Sequence, residues 1–349
     1  MSRSQRGAAE PVTRLMPLAG TVPLAALVSG CSASPMSYLS TEGPAADPVT
    51  LMGWGFTAIA AATTLIISGL LLWAVVRHRP LRLPEARETM ERGGNGLKWI
   101  YVGTLVSTPV LFGMAVWMVA ATAAVIAPGR PTALTIQVIG HQWWWELRYL
   151  DHQKNQSFIG ANEIHVPAGV PVKLELMSAD VIHSFWIPKL SGKMDLVPGQ
   201  LNETWIEASH EGEYRGQCAE FCGAQHANMV LLLVADNAAA FEAWWNAHAQ
   251  PQGQVADAVS HGRDLFMKHC GECHTVDGTA AKGKDGPNLT HVASRRKIGA
   301  NIYPNKRGHL GGWIADAPTM KPRVRMPAMA EKLPGGDLIA VLDYVQSLH

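Results

Sequence analysis

Two uncharged apolar runs, residues 54–76 and 99–126, dominate the first third of the chain. Each is long enough to cross a bilayer as a helix, and neither has the polar face that a soluble core helix keeps. The pattern predicts a transmembrane hairpin over residues 54–127. Trp54, Trp73, Trp99 and Tyr101 fall near its ends, where amphipathic rings suit the interface. Pro109 interrupts the second run and predicts a kink. From residue 132 the period drops to two. Residues 134–139, 163–166, 172–176 and 202–206 read as short strands, with turn signals at Pro167-Ala168-Gly169 and Pro198-Gly199. Many short strands predict a β-sandwich or Greek-key barrel over residues 128–248. Residues 249–258 are polar, with Gln, Pro and Gly, and read as a linker. From 259 to 349 helical spacing returns. Gly262, Phe266 and Cys270 share one helix face. Leu338, Val341, Leu342 and Val345 form the core stripe of a last helix, with Tyr344 at its edge.

Charge adds orientation. The loop between the apolar runs carries Arg77, Arg79, Arg82, Arg87, Arg92 and Lys98 and should stay cytoplasmic, so both outer ends face outward. Arg3, Arg6 and Arg14 precede a short apolar stretch, residues 15–28, with the form of an export leader over residues 1–30. Residues 31–53 then form an outward-facing segment. Val28-Ser29-Gly30-Cys31 resembles a bacterial lipoprotein cleavage box, which implies lipidation at Cys31. Charged residues make up 16% of the 349, below the usual quarter. A net charge of +1 gives no general argument for binding nucleic acid. Lys282, Lys284, Arg295, Arg296, Lys297, Lys306 and Arg307 predict a basic face on the last domain.

The other four cysteines form two close pairs. Cys218-x3-Cys222-x3-His226-x2-Met229, with His183 upstream, gathers soft ligands suited to copper. Spacing alone leaves four possibilities open: a binuclear copper site, a mononuclear one, structural zinc and a disulfide. Cys270-x2-Cys273-His274 is the attachment pattern of a c-type haem, with His274 as an axial ligand. No second Cys or His pair follows that would complete a zinc ribbon. Met320, Met326 and Met329 are the candidates for the sixth iron ligand.

Four segments occur in order: residues 140–146 (GHQWWWE), 178–185 (SADVIHSF), 194–200 (MDLVPGQ) and 218–229 (CAEFCGAQHANM). Together they resemble subunit 2 of the haem–copper cytochrome c oxidases, of the copper A type. The C-terminal part resembles a class I cytochrome c. The fold class implied is a multidomain membrane protein: a helical hairpin, a cupredoxin-like β-sandwich and a small all-α cytochrome domain. The resemblance implies a binuclear copper A centre held by His183, Cys218, the Glu220 carbonyl, Cys222, His226 and Met229. It also implies a magnesium reached by the Glu220 carboxylate at the interface with subunit 1. Trp143 matches the residue through which electrons enter, and Trp144 and Trp145 read as packing or interface residues. Asp195 matches an acid near the contact surface. Met326, followed by Pro327, resembles the Met loop of fused oxidase cytochromes, and Gly286-Pro287-Asn288-Leu289 the loop that orients the proximal histidine. Trp313 is expected beside the haem edge.

Two departures stand out. Residues 93–98 (GGNGLK) contain no acid where the family often has a glutamate at a proton-channel mouth, and Glu91 is the nearest. Gln200 stands where many members have arginine. The implied function is electron transfer from a cytochrome c donor, through covalent haem c and copper A, to the oxygen-reducing, proton-pumping subunit 1. The implied location is the bacterial inner membrane, with both redox domains outside. A nitric or nitrous oxide reductase subunit and a copper-handling lipoprotein are the rival readings.

Overall fold

The computed structural model describes residues 34–77, 96–132, 134–151, 156–251 and 257–349. The leader, Cys31, Glu91 and the loop arginines from Arg79 to Arg92 lie outside the described residues. Helices α1 (Asp47–Val76) and α2 (Gly96–Val125) form the hairpin. Among the described residues these two are long and apolar enough to cross a membrane. Almost every apolar side chain on them is exposed, Leu65 at 72% and Phe112 at 71% among them. So continuous an apolar surface calls for lipid rather than water. α1 begins well before residue 54, because Pro48 in its first turn tolerates the missing backbone donor. Trp117 of α2 meets Phe56 of α1 edge to face at 6.0 Å.

The β-domain packs two sheets. One runs β3 (Gln156–Ala161), β2 (Trp144–Asp151), β1 (Leu134–His141), β5 (Val172–Ser178), β8 (Asn202–Ile206). The other runs β4 (Glu163–Pro167), β10 (Val230–Asp236), β9 (Gly212–Gln217). A short ladder joins β6 (His183–Phe185) to β7 (Met194–Leu196). Ile136 and Val138 from β1, Leu147 from β2 and Leu174 and Leu176 from β5 meet Ile164, Leu231 and Leu233 of the facing sheet. Period-two alternation places them there. The β-domain also carries α3 (Ala238–His248), which periodicity did not reveal. Asn237 caps it by accepting from the Ala240 N–H at 2.9 Å, and Phe241 and Trp245 sink into the sandwich core.

The end of α2 and the segment just after it hold this domain. Trp205 Nε1 donates to the carbonyl of Val125, the last residue of α2, at 2.9 Å. Arg130 pairs with Glu207 at 2.7 Å and donates to the Gly169 carbonyl at 3.1 Å.

The C-terminal domain comprises α4 (Ser260–His269), α5 (Arg307–Met320), α6 (Gly336–Gln346) and a two-residue ladder, β11 (Lys297–Ile298) with β12 (Tyr303–Pro304). The ladder is an addition to the helical domain that the sequence suggested. α4 crosses α6 at Gly262, where a Cβ would sit 1.9 Å from the Ala340 carbonyl oxygen. Tyr344 is not at an edge. It is fully buried, 5.2 Å ring to ring from Phe266, because the tight crossing at Gly262 draws α4 over it. Nor do the basic residues form one face. Arg295 turns inward to the Asn288 carbonyl, Arg296 approaches Glu213 of the β-domain at 3.5 Å, and Arg307 pairs with Asp343 of α6 at 2.5 Å.

Replacing Gly262 by Ala overfills this crossing. The expected cost is about 1–3 kcal/mol, read as a lower midpoint in thermal unfolding of the purified chain, with the β-domain unaffected.

Candidate metal centre and redox site

β6 supplies His183, and the loop from β9 to β10 supplies the remaining candidate ligands. Cys218 N–H donates to the Met229 carbonyl and Ala219 N–H to the Ser184 carbonyl, each at 3.0 Å. These bonds close the loop on itself and stitch it to the strand bearing His183. Gly140 of β1 permits the close packing, since a Cβ there would lie 2.7 Å from the His183 ring.

The two sulfurs, Cys218 Sγ and Cys222 Sγ, lie 3.7 Å apart and are unbonded to each other. The pair is not joined as a disulfide in this structure. His183 Nδ1 lies 3.9 Å from Cys218 Sγ, and the Glu220 carbonyl oxygen 3.2 Å from the same sulfur. His226 Nδ1 lies 3.7 Å and Met229 Sδ 3.9 Å from Cys222 Sγ. All six predicted ligand groups thus converge on one sulfur–sulfur edge. An ion binding sulfur at about 2.3 Å and imidazole nitrogen at about 2.0 Å spans any of these gaps, so the donor set fits metal. Cys218, Cys222, Met229 and His183 are all within 2% of complete burial, which keeps the centre dry. His226 is half-buried under the exposed ring of Phe221.

The electrostatics prepare a thiolate. The Cys218 thiol is drawn far below its ordinary range because a hydrogen bond with Cys222 favours its thiolate and His183 acts in the same sense. The same contact pushes Cys222 upward. Burial lowers the His183 pKa, but Asp180 and Cys218 outweigh it and raise the group overall. Asp180 accepts from His183 Nε2 at 2.8 Å and from the Gln142 N–H at 2.7 Å. It leaves Nδ1 facing the sulfurs, the arrangement that orients a metal-binding histidine.

Trp143 backs the centre. Its Nε1 donates to the Cys222 carbonyl at 3.0 Å, and Gln142 Nε2 donates to the same oxygen at 2.8 Å. The Trp143 carbonyl in turn accepts from Lys321 of the C-terminal domain at 2.9 Å. Trp145 is fully buried, and Trp144 stacks on His141 at 4.3 Å. Glu220 directs a half-exposed carboxylate away from the sulfurs. Lys193 lies 3.7 Å from it and 3.7 Å from Asp195. Gln200 donates to Asn202 at 2.7 Å.

In the C-terminal domain, His274 N–H and Cys273 N–H both donate to the Cys270 carbonyl, at 2.9 and 3.1 Å. This helical turn brings Cys270, Cys273 and His274 to one side, as positions three and four apart are neighbours. His274 Nδ1 bonds the Pro287 carbonyl at 2.8 Å, which fixes the ring with Nε2 turned away. Burial lowers the His274 pKa and favours the neutral, ligating form. Both cysteines are free, so the set fits covalent haem attachment. Met329 is buried in the domain core, whereas Met326 and Met320 are half-buried. Trp313 packs by Gly299 and Tyr303.

Reading the residues in order missed Asp180, Gln142 and Lys321. The Asp180–His183 spacing of three was a usable signal. Lys321 gave none, since its partners are backbone carbonyls 178, 93 and 22 residues away in sequence.

Two stretches of the chain match known families. Residues 157–236 match the family described as cytochrome c oxidase subunit II, periplasmic domain, and residues 259–349 match the family cytochrome c. Cytochrome c oxidase subunit 2 of Alkalihalophilus pseudofirmus is 36% identical, covering 61% of this chain and 60% of that protein. The Bacillus subtilis protein of the same name is 28% identical, covering 96% of this chain and 97% of that one. Among solved structures, the periplasmic domain of subunit II of cytochrome oxidase (CoxB) of Bradyrhizobium japonicum is 32% identical. It covers 34% of this chain and 95% of that chain, with a TM-score of 0.32.

Asp180→Asn removes the carboxylate that orients His183. Metal titration of the purified chain is expected to show affinity lowered about 10–100-fold, with the far-ultraviolet dichroism of the sheets unchanged.

Proposed function

We propose that this chain, a member of the cytochrome c oxidase subunit 2 family with a cytochrome c domain at its C-terminus, receives single electrons at haem c and passes them through a binuclear copper A centre to subunit 1 of a haem–copper oxidase. The observation that carries the proposal is the convergence of six ligand groups on the Cys218–Cys222 edge. That edge is joined through Trp143 to the cytochrome domain. When bound, the copper pair and the haem supply one-electron redox chemistry that no side chain here provides.

The residues do the rest. Cys218, Cys222, His183, His226, Met229 and the Glu220 carbonyl would hold the copper pair. A buried, closed ligand shell resists rearrangement between oxidation states. Asp180 fixes the His183 ring, and Trp143 presents a buried aromatic at the side where electrons enter. Cys270 and Cys273 would form the thioethers of a haem c, and His274, its ring held by Pro287, would bind its iron. Met326 would supply the other iron ligand: Met329 is committed to the domain core, and Met326 is followed by Pro327.

The half-exposed Glu220 carboxylate is available to a magnesium shared with subunit 1. The apolar hairpin anchors the chain in the bacterial inner membrane, with both redox domains on the periplasmic side and Cys31 lipidated. Oxygen reduction and proton pumping belong to subunit 1. A tethered cytochrome replaces diffusional encounter with a high local concentration.

The test is metal and haem analysis with EPR on the oxidised full chain. The expected result is two coppers sharing one unpaired electron beside one low-spin haem per chain. A mononuclear copper spectrum, or zinc in place of copper after reconstitution, overturns the assignment. Met326→Ala is expected to turn the haem high-spin, while Met329→Ala leaves it low-spin.

A further inference from the structure

Lys321 is 3% exposed, which is unusual for a lysine. Its Nζ donates to three backbone carbonyls: Trp143 and Asn228 of the copper domain, each at 2.9 Å, and Gly299 of its own domain at 3.2 Å. Among the described residues no carboxylate lies within ion-pair distance of it. An ammonium has three donors, and all three are used. Two of its acceptors belong to the other domain, so the set is complete only when the domains are docked. With the domains apart, water replaces the two copper-domain carbonyls, and of the three acceptors only the Gly299 carbonyl remains.

Both ends of the contact are anchored. Lys321 N–H donates to the Ala317 carbonyl at 2.8 Å, and Tyr303 donates to the neighbouring Met320 carbonyl at 2.6 Å. These fix the head of the segment that carries Met326. Asn228 immediately precedes Met229, and the Trp143 indole donates to the Cys222 carbonyl. Elsewhere on the interface, Asn301 donates to the Val230 carbonyl at 3.4 Å and to the Asn162 carbonyl, and the Arg296 N–H donates to Glu163 at 3.0 Å. Lys321 alone among these contacts links the loops of both redox sites.

We infer that Lys321 is a positioning residue: its ammonium latches the Met326 segment of the cytochrome domain onto the Trp143 carbonyl, fixing the docked arrangement in which electrons cross to the copper centre. The role in electron transfer rests on the function proposed above; the latch itself does not.

The substitution Lys321→Met keeps length and removes all three donors, leaving three carbonyls unsatisfied in the docked state. Lys332→Met, an exposed lysine of the same domain, is the charge-matched control. The first readout, hydrogen–deuterium exchange on the full chain, needs neither metal nor haem. Lys321→Met is expected to raise exchange in residues 141–146 and 225–230, with residues 134–139 unchanged. The second is the rate of haem-to-copper electron transfer after flash reduction. It is expected to fall about tenfold through a smaller docked population, with both optical spectra intact.

Unchanged exchange in Lys321→Met overturns the latch, as does an equal effect of Lys332→Met. Raised exchange with an unchanged transfer rate overturns the positioning role. A wild-type chain lacking copper or haem defeats the proposed function instead, and the exchange readout still decides the latch. If Lys321→Met does not take up haem, Lys321→Gln is read by the same criteria, with a smaller effect in the same direction.

Discussion

The constraint on which the rest depends is the separation of two buried sulfurs. Cys218 and Cys222 form no disulfide here and lie close enough to share a hydrogen bond. A thiolate buried there is costly unless something positive or hydrogen-bonding faces it. The surroundings answer that cost. β6 brings His183, the loop folds back to bring His226 and Met229, and the Glu220 carbonyl turns inward. The sandwich is the frame that holds a three-residue strand and a twelve-residue loop at this spacing, and Gly140 exists to let them close.

Around the centre, backbone carbonyls carry the connections. The Cys222 carbonyl takes two side-chain donors, and the Trp143 carbonyl takes a lysine from another domain. Carbonyl positions are set by the chain itself, so they drift less than long side chains. A contact between redox domains built this way repeats the same geometry at each docking.

Much of this was legible in the sequence. The hairpin, the strands after residue 132, the ligand loop and the haem motif are local patterns, with partners within a few residues or on one periodic face. His183 was legible only as an upstream candidate, because a strand and a loop 35 residues apart share no period. What escaped reading has non-local causes. α3 is Ala-rich with only two buried anchors, Phe241 and Trp245, so its stripe is weak. Tyr344 is buried because a glycine on another helix makes room. The basic cluster scattered because Arg295 found a carbonyl within its own domain and Arg296 found the neighbouring one. Lys321 pairs with main-chain oxygens, which every residue carries and no sequence pattern marks.

The bond from Trp205 to the last carbonyl of α2 makes the membrane helix a mast rather than a tether. The Arg130–Glu207 pair ties the segment that follows the helix to the same domain. Any lean of α2 in the bilayer then becomes a lean of the copper centre. Tilt answers bilayer thickness, so lipid composition sets the height and angle at which this domain addresses whatever lies beside it in the membrane.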